Sequence, residues 1–317
     1  MSALLASAPV FESSTKTVYV VARWVEYVGT ALFYGGLAFL TLLWPAGGAL
    51  RSARRLLCGA WLVGATATVA ALDLEGAWAR GRSSWGLFDT SSLSELLGTD
   101  FGRAWAVMFL LWVLALVVLG DVLRRGAVAL RSLPWRVGAL AVGLATIRVF
   151  GLTGHARETA HPLVGQLADA VHLSAMSVWI GGLTILALVV LPHRRSEDLG
   201  AVVRGYSTLA LLSVTAAAAS GVVLAWGTLG TVGALTSTTY GHILLFKIGV
   251  LTLVLAAAFR SKTWVEHRLN FAVILRGESG TGIRLIRPFA ISVATETALL
   301  VLVLAAASVL VTADPGR

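Results

Sequence analysis

The chain has 317 residues, of which 57% are hydrophobic and 13% charged, with a mean hydropathy of +0.83. Soluble domains carry about 25% charged residues, so this composition excludes an ordinary soluble enzyme, a disordered chain and a fibrous protein. A net charge of +9 and a pI near 10.6 would suggest nucleic acid for a soluble chain; here the basic residues must first be placed against a membrane.

Residues 1–17 form a polar-to-mixed tail with no basic stretch leading into an apolar core, so no cleavable signal peptide is expected. Crossing the bilayer core takes about 20 apolar residues per helix. Eight such runs follow, at about 18–44, 54–74, 102–123, 135–153, 166–191, 204–227, 241–260 and 288–312. The expected fold is all-α: one transmembrane domain of eight helices over 18–313. Pro45, Pro134, Pro192 and Pro288 stand at or near span ends, where a missing N–H costs little. The loop 75–101 mixes Trp85, Leu87, Phe88 and Leu93 with polar residues, and 261–287 mixes Trp264, Phe271 and Ile274 with Arg and Lys. Either fits a helix lying in the membrane surface or an ordinary loop. No segment is long enough for a nucleotide-binding domain, so a motor driven by ATP on this chain is not expected.

Lys and Arg in the loops set the orientation. The loops after spans 1, 3, 5 and 7 hold sixteen of the 25 basic residues, among them Arg51, Arg54, Arg124, Arg131, Arg194 and Arg260. The opposite side carries Asp73, Glu75, Asp89, Glu95, Asp100, Glu158 and Asp169. The basic side is expected to be cytoplasmic and both termini outside. The high pI is then a topology signal, and nucleic acid is not an expected partner. Membrane lipids are. Trp24, Trp61, Trp78, Trp105, Trp112, Trp135 and Trp179 fall mostly near span ends, as an aromatic belt would place them. Gly181, Gly182, Ser220 and Gly221 are small enough to let helices approach closely.

Ionisable groups inside a membrane are costly and are candidates for function. Arg23 and Glu26 in span 1 are three residues apart, share a helix face and are placed to pair near the outer end. Lys247 lies two turns into span 7, where its long stem can snorkel to the interface. Glu296 lies two turns in from the inner end of span 8 and needs a proton, a hydrogen bond or a partner. It reads either as a packing hydrogen bond or as a step in a proton or cation relay.

Four of the six histidines, His155, His161, His172 and His242, fall on the outer side; His193 and His267 fall in basic inner loops. Asp169, His172 and Met176 are spaced i, i+3, i+7 and share one face of span 5, with His155 and His161 in the loop just before it. Imidazole, a carboxylate and a thioether together suit a soft or borderline transition metal, and copper fits well as Cu(I) or Cu(II). Zinc or nickel could use the histidines alone. The same residues also fit plain surface histidines and a space-filling methionine. The single cysteine, Cys58, excludes an intrachain disulfide and a Cys-based metal motif.

The second half resembles the copper resistance protein D family of bacterial membrane proteins. The resemblance rests on GHA with a later His, on DAVHLSAMSVWIGGL at 169–183, and on YSTLALLSVTAAAASGVVLAW at 206–226. TTYGHILLFKIGVL at 238–251 and ISVATETALLVLVLAAASVLVTADP at 291–315 continue it in order. The similarity is strongest over 150–315; before that it rests mainly on RWVEYVGTALFYGGLAF. It implies an eight-helix protein of the bacterial plasma (inner) membrane that moves copper across or receives it at the outer face. It also implies a small extracytoplasmic copper-binding partner. With only 17 residues before span 1, that partner is expected to be a separate protein. By position, His155, His161 and His172 match the family's histidine-rich outer region, and Lys247 and Glu296 its intramembrane charges. The residue after Tyr240-Gly241 is often basic in the family and here is His242, which reads either as a ligand or as a substitute for a charge.

The leading expectation is a copper permease, not an enzyme, carrying the ion towards the cytoplasm without ATP. A haem protein ligated by His172 and His242 is one alternative; a receptor or assembly factor that holds copper outside without transporting it is another.

Overall fold

The computed structural model describes residues 8–79, 98–152, 162–192, 199–253, 255–256, 303–305 and 308–309. Among these residues all regular structure is helical. The principal helices are α1 (Ala8–Leu42), α2 (Arg51–Ala79), α3 (Asp100–Arg125), α4 (Leu133–Leu152), α5 (Pro162–Ile185), α6 (Leu199–Leu229) and α7 (Thr239–Leu253). The first six are long and apolar enough to cross a membrane, with spans at Thr17–Leu42, Arg51–Leu74, Gly102–Arg125, Leu133–Phe150, Leu163–Val190 and Gly200–Leu229. Each coincides with an expected run to within a few residues. The shorter α7 opens the expected seventh run, and helical pieces at 303–305 and 308–309 fall inside the eighth. The loop readings for 75–101 and 261–287 lie largely or wholly outside the described residues.

Local chemistry explains the punctuation. Pro45 starts a single turn of 3-10 helix, Pro45–Ala49, directly after α1, and Pro134 sits in the first turn of α4, where its missing N–H is not needed. Thr99 caps α3, its Oγ1 accepting from the Gly102 N–H at 3.0 Å. Gly126 ends α3 at φ +56, a conformation that side chains with a Cβ rarely take. On the same side of the bundle, Arg54 donates to the Gly48 carbonyl (3.0 Å), and Arg136 to those of Leu130 (2.7 Å) and Thr41 (3.2 Å). These arginines satisfy carbonyls that the helix ends leave open. After Ile185 the α5 helix widens into one π turn, Leu186–Val190, closed by Leu191 N to Leu186 O at 2.9 Å.

Helix α1 packs against α2 on one side and α5 on the other; α3 and α4 complete a ring, and α6 lies against α5. Small residues set the two α1 crossings. A Cβ on Gly29 would stand 2.5 Å from the Gly64 nitrogen. A Cβ on Gly35 would strike the Ser177 carbonyl, and one on Gly181 would strike the Ala31 carbonyl and the Gly36 nitrogen. With lipid as apolar as the side chains, such close backbone approach is what lets membrane helices associate. Gly182 leaves the same kind of room for the Tyr206 ring, and Gly221 for the His172 ring.

The aromatic-belt expectation needs correction for several tryptophans. Trp105 and Trp112 are each 1% exposed, and Trp135 and Trp179 are also buried. Trp112 fills the centre of the ring beside Phe33 and Tyr34. Its indole N–H donates to Thr68 Oγ1 at 2.8 Å, and its carbonyl accepts from Trp61 Nε1 at 2.8 Å. Their bulk is used for core packing, and the indole N–H groups of Trp112 and Trp135 are satisfied inside the bundle.

Candidate metal centre

The half of the bundle that holds residue 23 contains a polar layer. Arg23 and Glu26 are both 0% exposed, and Arg23 Nη1 lies 2.8 Å from Glu26 Oε2. The spacing i, i+3 makes the pair; neighbouring helices complete it. Thr68 of α2 donates to Glu26 Oε1 (2.7 Å) and itself accepts from Trp112 of α3 (2.8 Å). Arg23 Nη2 donates to the Tyr27 hydroxyl at 3.2 Å. The guanidinium also stands over the rings of Tyr27, Trp105 and Phe150 at 5.1, 5.5 and 5.4 Å. Four helices therefore converge on one ion pair, where sequence spacing alone suggested a pair near the outer interface.

On α5, Asp169 and His172 are half-buried. His172 Nδ1 lies 2.9 Å from the carbonyl oxygen of Ala217 and 3.3 Å from Ser220 Oγ, both on α6. A carbonyl can only accept, so Nδ1 carries the proton and the lone pair is on Nε2. That second-partner arrangement is the one metal-binding imidazoles use to fix their tautomer. The ring is seated against Gly221, where a Cβ would come within 3.3 Å of His172 Cε1. Asp169 lies in the electrostatic field of two cations, Arg23 on α1 and Lys247 on α7, and Lys247 also acts on His172. The layer thus holds two basic side chains, Arg23 and Lys247, and two carboxyl groups, Glu26 and Asp169.

The structure separates residues that the sequence placed together. Met176 is buried in the apolar core and lines a cavity of about 20 Å³ with Tyr27, Thr30, Phe150 and Leu304. It faces α1 and α4, whereas His172 reaches α6. A helix face shared at i and i+7 still spans a wide arc once two different neighbours pack against it. His242 is exposed, and its Nε2 is 3.0 Å from the carbonyl of Thr236 in its own segment. The His172 and His242 rings thus have separate partners, and the haem alternative gains nothing from their placement. Among the described residues no three His, Cys, Asp or Glu side chains gather closely enough to hold a metal ion. His155, His161 and Glu296, and the inner His193 and His267, lie outside the described residues.

Among the described residues, six helices long and apolar enough to cross a membrane surround a buried polar layer, the pattern of a multi-pass α-helical membrane protein. Comparison with known proteins narrows the class. Residues 14–162 match the copper resistance protein D-like N-terminal domain and residues 200–310 match copper resistance protein D. The chain belongs to the copper resistance protein D family. It is also similar to the copper transport protein CutJ of Bacillus subtilis (strain 168), at 28% identity over 271 residues, covering 82% of this chain and 49% of that protein. The chain thus spans about half the length of the curated relative it matches. No solved structure matches it. The family supports a copper-handling role in a membrane.

Proposed function

We propose that the protein takes copper at the outer face of the bacterial plasma membrane and passes it towards the cytoplasm without ATP. In this reading eight helices span the bilayer, both termini are outside and the basic loops are cytoplasmic. The observation that carries the reading is the His172–Ala217 hydrogen bond, which leaves Nε2 for a ligand one helical turn from Asp169. His155 and His161, in the preceding loop, supply further imidazoles at the mouth, and His242 stands at the rim. Met176, deeper on α5, offers a thioether to Cu(I) after the ion leaves His172. Glu296 provides a polar step in the lower half. A cation entering a negative interior gains about 2.3 kcal/mol per charge per 100 mV, so the membrane potential favours uptake. A small extracytoplasmic copper-binding protein would deliver the ion.

Proteoliposomes with an imposed inside-negative potential test the proposal. Copper is expected to accumulate with the wild-type chain and to do so far more slowly with His172→Ala. Copper retained by the protein with no accumulation in the lumen would favour the receptor reading instead.

A further inference from the structure

Lys247 is placed unusually for a lysine in an apolar helix. Its chain neighbours Phe246 and Ile248 are 57% and 48% exposed, while Lys247 itself is half-buried. Val250, Leu251 and Leu255 pack against the core cluster, and these positions lie three, four and eight residues beyond Lys247. The lysine therefore occupies the inward stripe of α7. It is turned into the bundle and does not lie along the outer surface. There it acts on both Asp169 and His172, yet among the described residues neither Asp169 nor Lys247 closes into an ion pair.

The other cation near Asp169 cannot adapt. Arg23 is held by Glu26, Tyr27 and three aromatic rings. Lys247 carries its ammonium on a flexible four-carbon stem. A carboxylate in a membrane interior stays ionised only beside a compensating cation and otherwise takes up a proton, because an uncompensated charge there is strongly disfavoured. A site that loads and releases a metal ion removes that compensation in every cycle.

We propose that Lys247 is a tethered counter-cation for the Asp169–His172 site: its ammonium compensates Asp169 when copper is absent, and copper displaces it. The proposal rests on the copper reading of that site and adds the means of release. Copper does not leave a bare carboxylate behind, because Lys247 returns as copper departs. The lysine thereby weakens binding and speeds turnover.

The test uses the full chain, purified, with Cu(I) as the probe and a colorimetric Cu(I) chelator as competitor. Lys247→Met keeps the stem and removes the charge. It should bind Cu(I) at least about tenfold more tightly, since one nearby positive charge is removed, while uptake into proteoliposomes slows. Lys247→Arg should stay close to wild type in affinity. Adding Lys247→Met to Asp169→Asn should tighten binding much less than it does in the wild type. Unchanged or weaker Cu(I) binding by folded Lys247→Met overturns the proposal. If that variant does not fold, wild-type protein decides: mass spectrometry after labelling with a membrane-permeant amine reagent should show Cu(I) raising modification of Lys247 relative to Lys16 and Lys262. No rise, or protection, overturns it. If wild type binds no Cu(I), the copper reading itself falls and takes this one with it. If wild type binds, Asp169→Asn loses binding and Lys247→Met is unchanged, only the counter-cation role falls.

Discussion

His172 on α5 and Gly221 on α6 are matched in shape: the glycine leaves the room that the imidazole ring occupies, and a Cβ there would come within 3.3 Å of Cε1 and 3.5 Å of Nδ1. The contact keeps Nδ1 on the Ala217 carbonyl and so decides which nitrogen is free. Gly221→Ala should therefore weaken copper binding by about three- to tenfold, roughly 1 kcal/mol of crowding. Thermal stability should change little. Chelator competition alongside a melting curve checks both; unchanged affinity would detach the ring's seat from binding.

The Arg23–Glu26 pair should behave as one unit. Removing one partner leaves a buried charge alone and costs about 3–5 kcal/mol, whereas replacing both with apolar residues of similar volume is far milder. Arg23→Met and Glu26→Met singly should lower the unfolding midpoint in detergent sharply, and the double variant should recover much of the loss. Additive losses would show that the two residues act separately.

The α1–α5 crossing admits no side chain at Gly35 or Gly181. Gly35→Leu and Gly181→Leu should abolish a monodisperse folded peak in size-exclusion chromatography, since the backbones would have to separate. Gly120, with open space around its Cα, is the control. Gly120→Ala should be neutral or stabilise by about 0.5–1 kcal/mol, because Ala holds helix better than Gly.

Topology can be read with an impermeant thiol reagent on a Cys58→Ser background. Ser2→Cys should label from outside and Ser196→Cys should not. Labelling of Ser196→Cys from outside would reverse the orientation and place the His172 half of the bundle on the cytoplasmic side.

Six of the expected spans were legible because a chain seldom carries an apolar run of membrane length unless a bilayer is there to receive it, and the Arg23–Glu26 pair was legible from its i, i+3 spacing. What the sequence did not carry is what depends on distant segments. Thr68 and Trp112 lie 42 and 86 residues beyond Glu26, and no local pattern connects them to it. The burial of Trp105 and Trp112 was missed because position near a span end does not say which way a ring points. Met176 shares a helix face with His172, but α1 and α6 divide that face between them. The Nδ1 partner of His172 is a backbone carbonyl, for which side-chain identity leaves no signal. Gly221 was legible only as a small residue, without its purpose.

In the proposed mechanism copper is held through His172, on the half of the bundle opposite the basic loops. Copper affinity and stoichiometry of wild type, His172→Ala and the double variant His193→Ala/His267→Ala test it most directly. Affinity should fall at least about tenfold in His172→Ala, as removal of a ligand requires, and stay at wild-type values in the double variant. Unchanged binding in His172→Ala, or a large loss in the double variant, would contradict it.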